Sequence, residues 1–392
     1  MPAFSAAPDA PLYVTRPFLP PRAEFDAEVD RIYASGQLTN NGGEVRRFAA
    51  ALRRTLGAQQ VSLFASGHLA LEAALRVLAP GDETGGEVVT TPFTFASTTH
   101  AIVRCGLTPV FCDVRGSDLT LDAQKLEACI TPRTRLILPV HVYGHPCDTA
   151  AIEAVARRHG LPVLYDGAHA FGVTVGGRSL ALCGQMTMLS FHATKPFHTI
   201  EGGALVLNGD GTPGTSALQR QAARLEQEKD FGLAGEGSVL RPGGNAKMNE
   251  MEAAMGLCCL PHFGQITARR QALTLRYRQN LAGRAGLRLF APEAAPGVEY
   301  NYAYLPVLVD EAAFGCSRDT VWQTLRAQGI FARRYFWPAV PDYACYRRAF
   351  GDADIPAARR AAGQVLCLPL YDRLTFAQVD RVCAAVLAAD GV

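Results

Sequence analysis

No two of the eleven cysteines in this 392-residue chain are spaced as C-x-x-C, and an odd number scattered from Cys105 to Cys383 cannot all pair within one chain. That argues against a disulfide scaffold. Cys258 and Cys259 are adjacent in an apolar helical run, so the thiols read as reduced core residues of a cytoplasmic protein. No run of about 18 apolar residues occurs, and the opening "MPAFSAAPDAPLYVTRPFLPP" has no basic start followed by an apolar stretch, so neither a membrane span nor an export signal is expected. An excess of one charge is missing too. With 38 Lys+Arg against 36 Asp+Glu, nothing points to a nucleic-acid or membrane surface. No zinc-type ligand spacing appears, so no metal is expected, and the isolated His100, His141 and His198 read as structural. Internal repeats and low-complexity segments are also absent.

What is present is enough chain for two domains. "RAEFDAEVDRIYASG" and "GEVRRFAAALRRTLG" have the pattern of amphipathic helices closed by Gly36 and Gly57. "VSLF" then breaks at "ASG" before the helical "HLALEAALRVL", which puts Ser66 and Gly67 where a strand hands over to a helix. Free N–H groups and the positive dipole end make such a junction an anion site, typically for phosphate. The apolar runs "EVVTTP", "TPVFCDV", "RLILPV", "LPVLYD", "MTMLSF" and "GALVLN" alternate with helices or loops, as in a largely parallel sheet covered on both faces. Sites on such sheets gather at the carboxyl ends of strands, where Ser66, Asp166 and Ser190 fall. From about Asn249 long helices take over. A smaller α+β unit follows, with Ser317 and Thr375 as helix N-caps. The division is placed at 1–255, an N-terminal segment with the large α/β domain, and 256–392, the small C-terminal α+β domain.

The segment "SFHATKPFHTIEGG" sets Lys195 among aromatic residues and before a glycine pair. Burial disfavours an ammonium, and a neutral amine is a nucleophile toward carbonyls. A strand-end acid, Asp166, lies upstream, with a phosphate-type turn further back. Pyridoxal phosphate needs this set: a lysine for its aldehyde, an acid for its pyridinium nitrogen and donors for its phosphate.

Six segments in order carry a family likeness: "ASGHLALEAAL", "TTPFTFAST", "LPVHVYGHPCD", "LYDGAHAFG", "SFHATK" with "EGGALV", and "GGNAKMNEMEAAMGL". The chain resembles the DegT/DnrJ/EryC1/StrS sugar aminotransferases of pyridoxal-phosphate fold type I, from about "PFLPPRAEF" to "LCLPLYDRLT". The resemblance implies a mostly parallel seven-stranded sheet between helices in the large domain. It also implies a homodimer with shared active sites. Lys195 would form the Schiff base and carry the proton, and Asp166 would pair with the pyridine nitrogen. His169 would contact the ring hydroxyl and Phe95 would stack on the ring. Gly67, His68 and Ser190 would hold the phosphate, and Asn245 would reach it from the neighbouring subunit. Ordinary readings stand beside these: a turn cap for Asp166, a core histidine for His169, plain core for Phe95 and a turn asparagine for Asn245.

The chain also departs from its relatives. They usually read Ser-Gly-Thr at the phosphate turn, where this chain has His68, so a hydroxyl contact is lost and backbone or imidazole must serve. Lys247 stands where many carry arginine, a point charge without a fork. "ARRYFWPAV" lacks the histidine common just beyond the proline. The reaction implied is transfer of an amino group from L-glutamate to a nucleotide-linked keto sugar. "LTNNGG", "YDGAHAFGV" and "NAKMNE" are most similar to the subgroup acting at carbon 4 of dTDP-4-keto-6-deoxy-D-glucose. The alternatives are a 3-amino or UDP-linked enzyme of the same family, or a dehydratase using the same cofactor, in which histidine replaces the lysine.

Overall fold

A computed structural model describes residues 10–79, 85–209, 215–235, 237–290, 293 and 295–391, so the first nine residues of the Pro-rich lead-in lie outside it. Two helices come first, α1 (Arg22–Ser35) and α2 (Gly43–Leu56), and both end as expected on left-handed glycines, Gly36 at φ 64° and Gly57 at φ 68°. A side chain would be strained at either position.

The central sheet is built from β1 (Gln60–Phe64), β2 (Glu87–Thr90), β3 (Thr108–Phe111), β4 (Thr134–Leu138), β5 (Leu164–Asp166), β6 (Met186–Ser190) and β7 (Gly203–Leu207). Between them run α3 (Gly67–Leu78), α4 (Ala96–Arg104) and α5 (Thr149–His159). β1, β7, β6 and β5 form one ladder and β4, β2 and β3 another. The bridges Ile137↔Val163 and Val140↔Asp166 join the two. The order is therefore β3-β2-β4-β5-β6-β7-β1, with every neighbouring pair parallel except those of β7, which is antiparallel to both β6 and β1. This is the seven-stranded, mostly parallel sheet the family likeness implies.

The strands are apolar runs because both faces are covered. Val61, Leu63, Ala204 and Val206 pack against Phe48 and Leu52 of α2, while the alternate residues Leu205, Leu207, Met186 and Met188 pack against Leu71 and Leu75 of α3. Period-two alternation thus splits each strand between two cores.

Beyond α6 (Thr215–Lys229) come α7 (Glu250–Cys259) and α8 (Phe263–Leu281), then β8 (Leu287–Leu289), β9 (Leu305–Val309) and β10 (Val365–Leu368) in an antiparallel sheet of order β8-β9-β10. α9 (Arg318–Ala327) and α10 (Phe376–Ala388) pack with it, capped by Ser317 and by a Thr375–Gln378 capping box. The N-terminal Leu12–Tyr13 pairs in parallel with Ile330–Phe331, and Leu370 N–H donates to Val14 O at 2.9 Å. The first described residues are thereby tied to the C-terminal part of the chain. All eleven thiols are unpaired. Among the described residues no helix is long and apolar enough to cross a membrane, and no group of three or more His, Cys, Asp or Glu side chains is placed to hold a metal.

Candidate active site

The carboxyl ends of β1, β5 and β6 lie on one edge of the sheet, and β7 starts there, Gly203 pairing with both Phe64 and Ser190. A cavity of about 350 Å³ opens at this edge. Of the residues singled out in the sequence, Gly67, His68, Phe95, Asp166, His169, Ser190 and Lys195 all line it. Asn245 does not. It is exposed, bridged to Asp230, and its neighbour Ala246 accepts from Ala65 N–H at 2.8 Å, behind the end of β1.

Asp166 ends β5 and is 3 % exposed. Its Oδ1 accepts from Ala168 N–H at 3.0 Å and its Oδ2 from Thr98 Oγ1 at 2.8 Å. Burial pushes its carboxyl above the ordinary range; the Ala168 and Thr98 hydrogen bonds and the Lys195 and His68 charges oppose this. The site is built for a carboxylate but lacks a full countercharge.

Lys195 sits in the connection from β6 to β7, its backbone N–H closing a turn onto His192 O at 2.9 Å. Its Nζ is 3.3 Å from Tyr304 Oη. Desolvation lowers the amine to about 8, against a smaller upward pull from Asp166. A substantial neutral fraction at physiological pH makes it a usable nucleophile and proton acceptor.

His169 Nδ1 accepts from Tyr143 N–H at 2.9 Å, which assigns the proton to Nε2. Burial, with the Lys195 and His145 charges, holds this ring well below its ordinary value, so it stays neutral. Phe95 precedes α4 at its N-cap position and is 57 % exposed on the cavity wall.

The phosphate-type turn is the α3 N-terminus. Ser66 Oγ accepts from Leu69 N–H at 3.2 Å, while the first-turn N–H groups of Gly67 and His68 have no acceptor within the helix. A Cβ on Gly67 would stand 2.9 Å from Met188 Sδ and 3.0 Å from Ser190 Cβ, and one on Gly203 2.5 Å from Gly67 N, so only glycines permit this close backbone packing. The His68 ring does not substitute for a threonine hydroxyl: Nδ1 is 2.9 Å from Ser97 Oγ and Nε2 is 3.2 Å from Glu72 Oε1. Lys247 is no free surface lysine, since its Nζ pairs with Asp230 Oδ1 at 2.5 Å and lies over the Phe231 ring at 4.8 Å.

Several contributors were not singled out from sequence. Tyr304 stands edge-on to His169 at 5.1 Å and to Tyr335 at 5.8 Å. Its segment is held by Asn301 Nδ2, which donates to His169 O at 2.8 Å and Phe171 O at 2.9 Å, and by buried Arg270, which donates to Tyr302 O and Ala303 O. Thr98 was legible in principle. It follows Thr94 by one helical turn, on the side that faces the cavity.

A neutral-prone lysine, a buried acid, a neutral imidazole donor and a helix N-terminus around one cavity match the needs of pyridoxal phosphate. The comparisons agree. The model of the DegT/DnrJ/EryC1/StrS aminotransferase family matches residues 21–387. A dTDP-4-amino-4,6-dideoxy-D-glucose transaminase of Shigella dysenteriae is 39% identical over 378 residues, covering 96% of this chain and 99% of that protein. One of the same name from Escherichia coli is 36% identical over 387 residues, covering 97% and 99%. Among solved structures, DesI in the presence of its TDP-sugar product superposes with a TM-score of 0.89 at 33% identity, covering 97% of this chain and 94% of that one. The chain belongs to the DegT/DnrJ/EryC1/StrS aminotransferase family.

Proposed function

We propose that this protein is a nucleotide-sugar aminotransferase that moves the amino group of L-glutamate to carbon 4 of dTDP-4-keto-6-deoxy-D-glucose. The observation that carries the chemistry is the shared cavity in which Lys195 Nζ, lowered to about 8, faces the carboxylate site at Asp166. The names of the two relatives similar over nearly the whole chain support the substrate.

Pyridoxal phosphate, when bound there, supplies an aldehyde to carry the amino group and a ring that withdraws electrons. The residues do the rest. Asp166, held by Thr98 and Ala168, would pair with the ring nitrogen. His169, its Nδ1 fixed by Tyr143 N–H, would offer Nε2–H as a donor to the ring hydroxyl. Gly67, His68 and Ser190 would offer backbone and hydroxyl donors to the phosphate, and Phe95 would cover the ring face. With the group bound, Lys195 Nζ would accept the proton of the glutamate carbon that bears nitrogen and give it back within the same site, and Tyr304 Oη lies within hydrogen-bond reach of that amine.

In this reading residues 1–255 anchor the cofactor and residues 256–392 bring Tyr304, Tyr335 and Phe336 to the substrate side. Asn245, exposed and outside its own cavity, serves a partner's site in a two-fold dimer. Unpaired thiols throughout support a reducing, cytoplasmic location.

The test is incubation with glutamate and a panel of dTDP- and UDP-linked 3-keto and 4-keto sugars, with the position of the new amine read by NMR. A 4-amino product from the dTDP-4-keto sugar is expected. Amination at carbon 3, or preference for a UDP sugar, would overturn the assignment.

A further inference from the structure

The segment "VHVYGHP" reverses direction after β4, behind the lysine cavity. Val140 is still bridged to Asp166, and His141 N–H donates to Asp166 O at 2.9 Å. The chain then turns, Gly144 N–H donating to His141 O at 2.9 Å and His145 N–H to Val142 O at 2.8 Å. Two consecutive residues of this turn are left-handed, Tyr143 at φ 57° and Gly144 at φ 91°. Space alone requires the glycine, because a Cβ there would stand 2.8 Å from His169 O and 3.0 Å from Asn301 Oδ1. Tyr143 has no such reason. A bulky side chain in the left-handed region is strained, persists only where its surroundings hold it, and occurs preferentially at functional sites.

Every polar group of Tyr143 is engaged. Its N–H donates to His169 Nδ1 at 2.9 Å, its C=O accepts from Tyr300 Oη at 2.6 Å, and its hydroxyl donates to Tyr335 O. The ring is fully buried and lies parallel to that of Phe336 at 5.8 Å. Tyr300, Tyr335 and Phe336 all belong to the C-terminal part of the chain, so that part clamps the turn from behind. The N–H is the group left for the cavity side, where it meets His169, a residue of the cavity wall. A neutral imidazole carries its proton on either nitrogen, whereas a backbone N–H is always a donor. Nδ1 must therefore stay bare for as long as the turn keeps its shape.

We propose that Tyr143 is a positioning residue for the reaction: its left-handed turn, clamped by Tyr300, Tyr335 and Phe336, sets the tautomer of His169 and so makes that ring a donor toward the cofactor's ring hydroxyl. If the turn relaxes, protons move to Nδ1 and Nε2 becomes an acceptor, which cannot serve that hydroxyl as a donor. The proposal rests on the aminotransferase reading above for the identity of the cofactor. The tautomer itself is a property of the cofactor-free protein and is measured there.

The test compares Tyr143→Gly with Tyr143→Val. Both lose the ring and share its packing cost, but glycine adopts a φ of 57° freely and β-branched valine does not. Long-range ¹H–¹⁵N correlation on the ¹⁵N-histidine-labelled, cofactor-free protein reads the tautomer, and His169→Gln identifies the signals of that ring among the nine histidines. The wild type should show Nε2–H alone. Tyr143→Gly should keep that signature, and Tyr143→Val should show both tautomers. Spectroscopic titration with pyridoxal phosphate should find the valine variant about tenfold weaker than the glycine variant, the loss of one hydrogen bond. Tyr300→Phe, which removes the hydroxyl held by Tyr143 O, should move the signature part of the way. A merely structural role would lower Tm in these variants without moving the tautomer. A wild-type ring protonated on Nδ1, or glycine and valine variants that match in either readout, would overturn the proposal. Should the valine variant not fold, Tyr300→Phe decides, and a wild-type signature there overturns it. Failure of the wild type to aminate any nucleotide sugar would remove the proposed reaction and leave the tautomer result standing, so the two are told apart.

Discussion

Thr98→Val tests how the acid at the cavity is held. Thr98 is buried, and its hydroxyl donates to Asp166 Oδ2 at 2.8 Å, one of two hydrogen bonds reaching that carboxylate, the other coming from Ala168 N–H. Valine has nearly the same shape and no donor, so Oδ2 is left unpaired in a buried site. A hydrogen bond to a charged group contributes about 1.5–3 kcal/mol, which corresponds to a factor of about ten to a hundred in an equilibrium constant. The Asp166 carboxyl, already raised by burial, should rise further, because one of the interactions that lowers it is gone. Two measurements follow. Carboxyl ¹³C titration of the cofactor-free protein should show the upward move, and spectroscopic titration with pyridoxal phosphate should show affinity about ten- to a hundredfold weaker. Thr99→Val is the control: Thr99 is buried beside Thr98 and its Oγ1 has no partner, so losing that hydroxyl should leave both readouts unchanged. If Thr98→Val matched this control, the hydroxyl would not be supporting the carboxylate, and the account of Asp166 would fail.

Competitive acetylation of the cofactor-free protein should place the Lys195 amine at about 8, and Asp166→Asn should move it lower, since the Asp166 charge pulls it up. Borohydride treatment of the loaded enzyme should fix the cofactor on the peptide containing "HATKPF"; recovery on another lysine would refute the assignment. Asp166→Asn should also raise Tm of the cofactor-free protein at neutral pH. The folded carboxyl lies above its ordinary 3.8, so its contribution to stability is complete below that value and lost as pH rises through the folded value. The advantage of asparagine should therefore vanish in melts below pH 3.8, and an advantage independent of pH would mean the burial argument is wrong. Mixing Lys195→Ala and Asn245→Ala homodimers should restore activity through one intact site per heterodimer. If exchange is seen by mass spectrometry without recovery, Asn245 does not act across an interface.

The parts of the site that lie at strand ends were legible because a buried strand is an apolar run and its last polar residue stands out. "LPVLYD" and "MTMLSF" mark Asp166 and Ser190 this way, and "ASG" before a helical pattern marks the α3 N-terminus. The reversal of β7 was not legible, since "GALVLN" reads the same in either direction and only its partners fix its sense. Tyr304 and Asn301 were hidden for a different reason. They enter the site from more than a hundred residues away, through contacts such as Asn301 Nδ2 to His169 O that no local pattern encodes. Whether the His68 ring or only its backbone faces an anion was not legible either, since the ring's engagement by Ser97 and Glu72 depends on how α3 meets α4.

That reversed strand also bears on how the site assembles. Because β7 runs against β6, the segment carrying Lys195 is the loop of a β-hairpin, whereas the connections between parallel neighbours in this sheet need a crossover. Its ends meet at little loop-closure entropy, and both flanking strands are fully inside the sheet, β7 between β6 and β1. The lysine is therefore flanked by two strands paired on both sides, while Tyr304 arrives from more than a hundred residues away. Under native conditions, amide hydrogen exchange in Met186–Ser190 and Gly203–Leu207 should proceed as one event near the global unfolding limit.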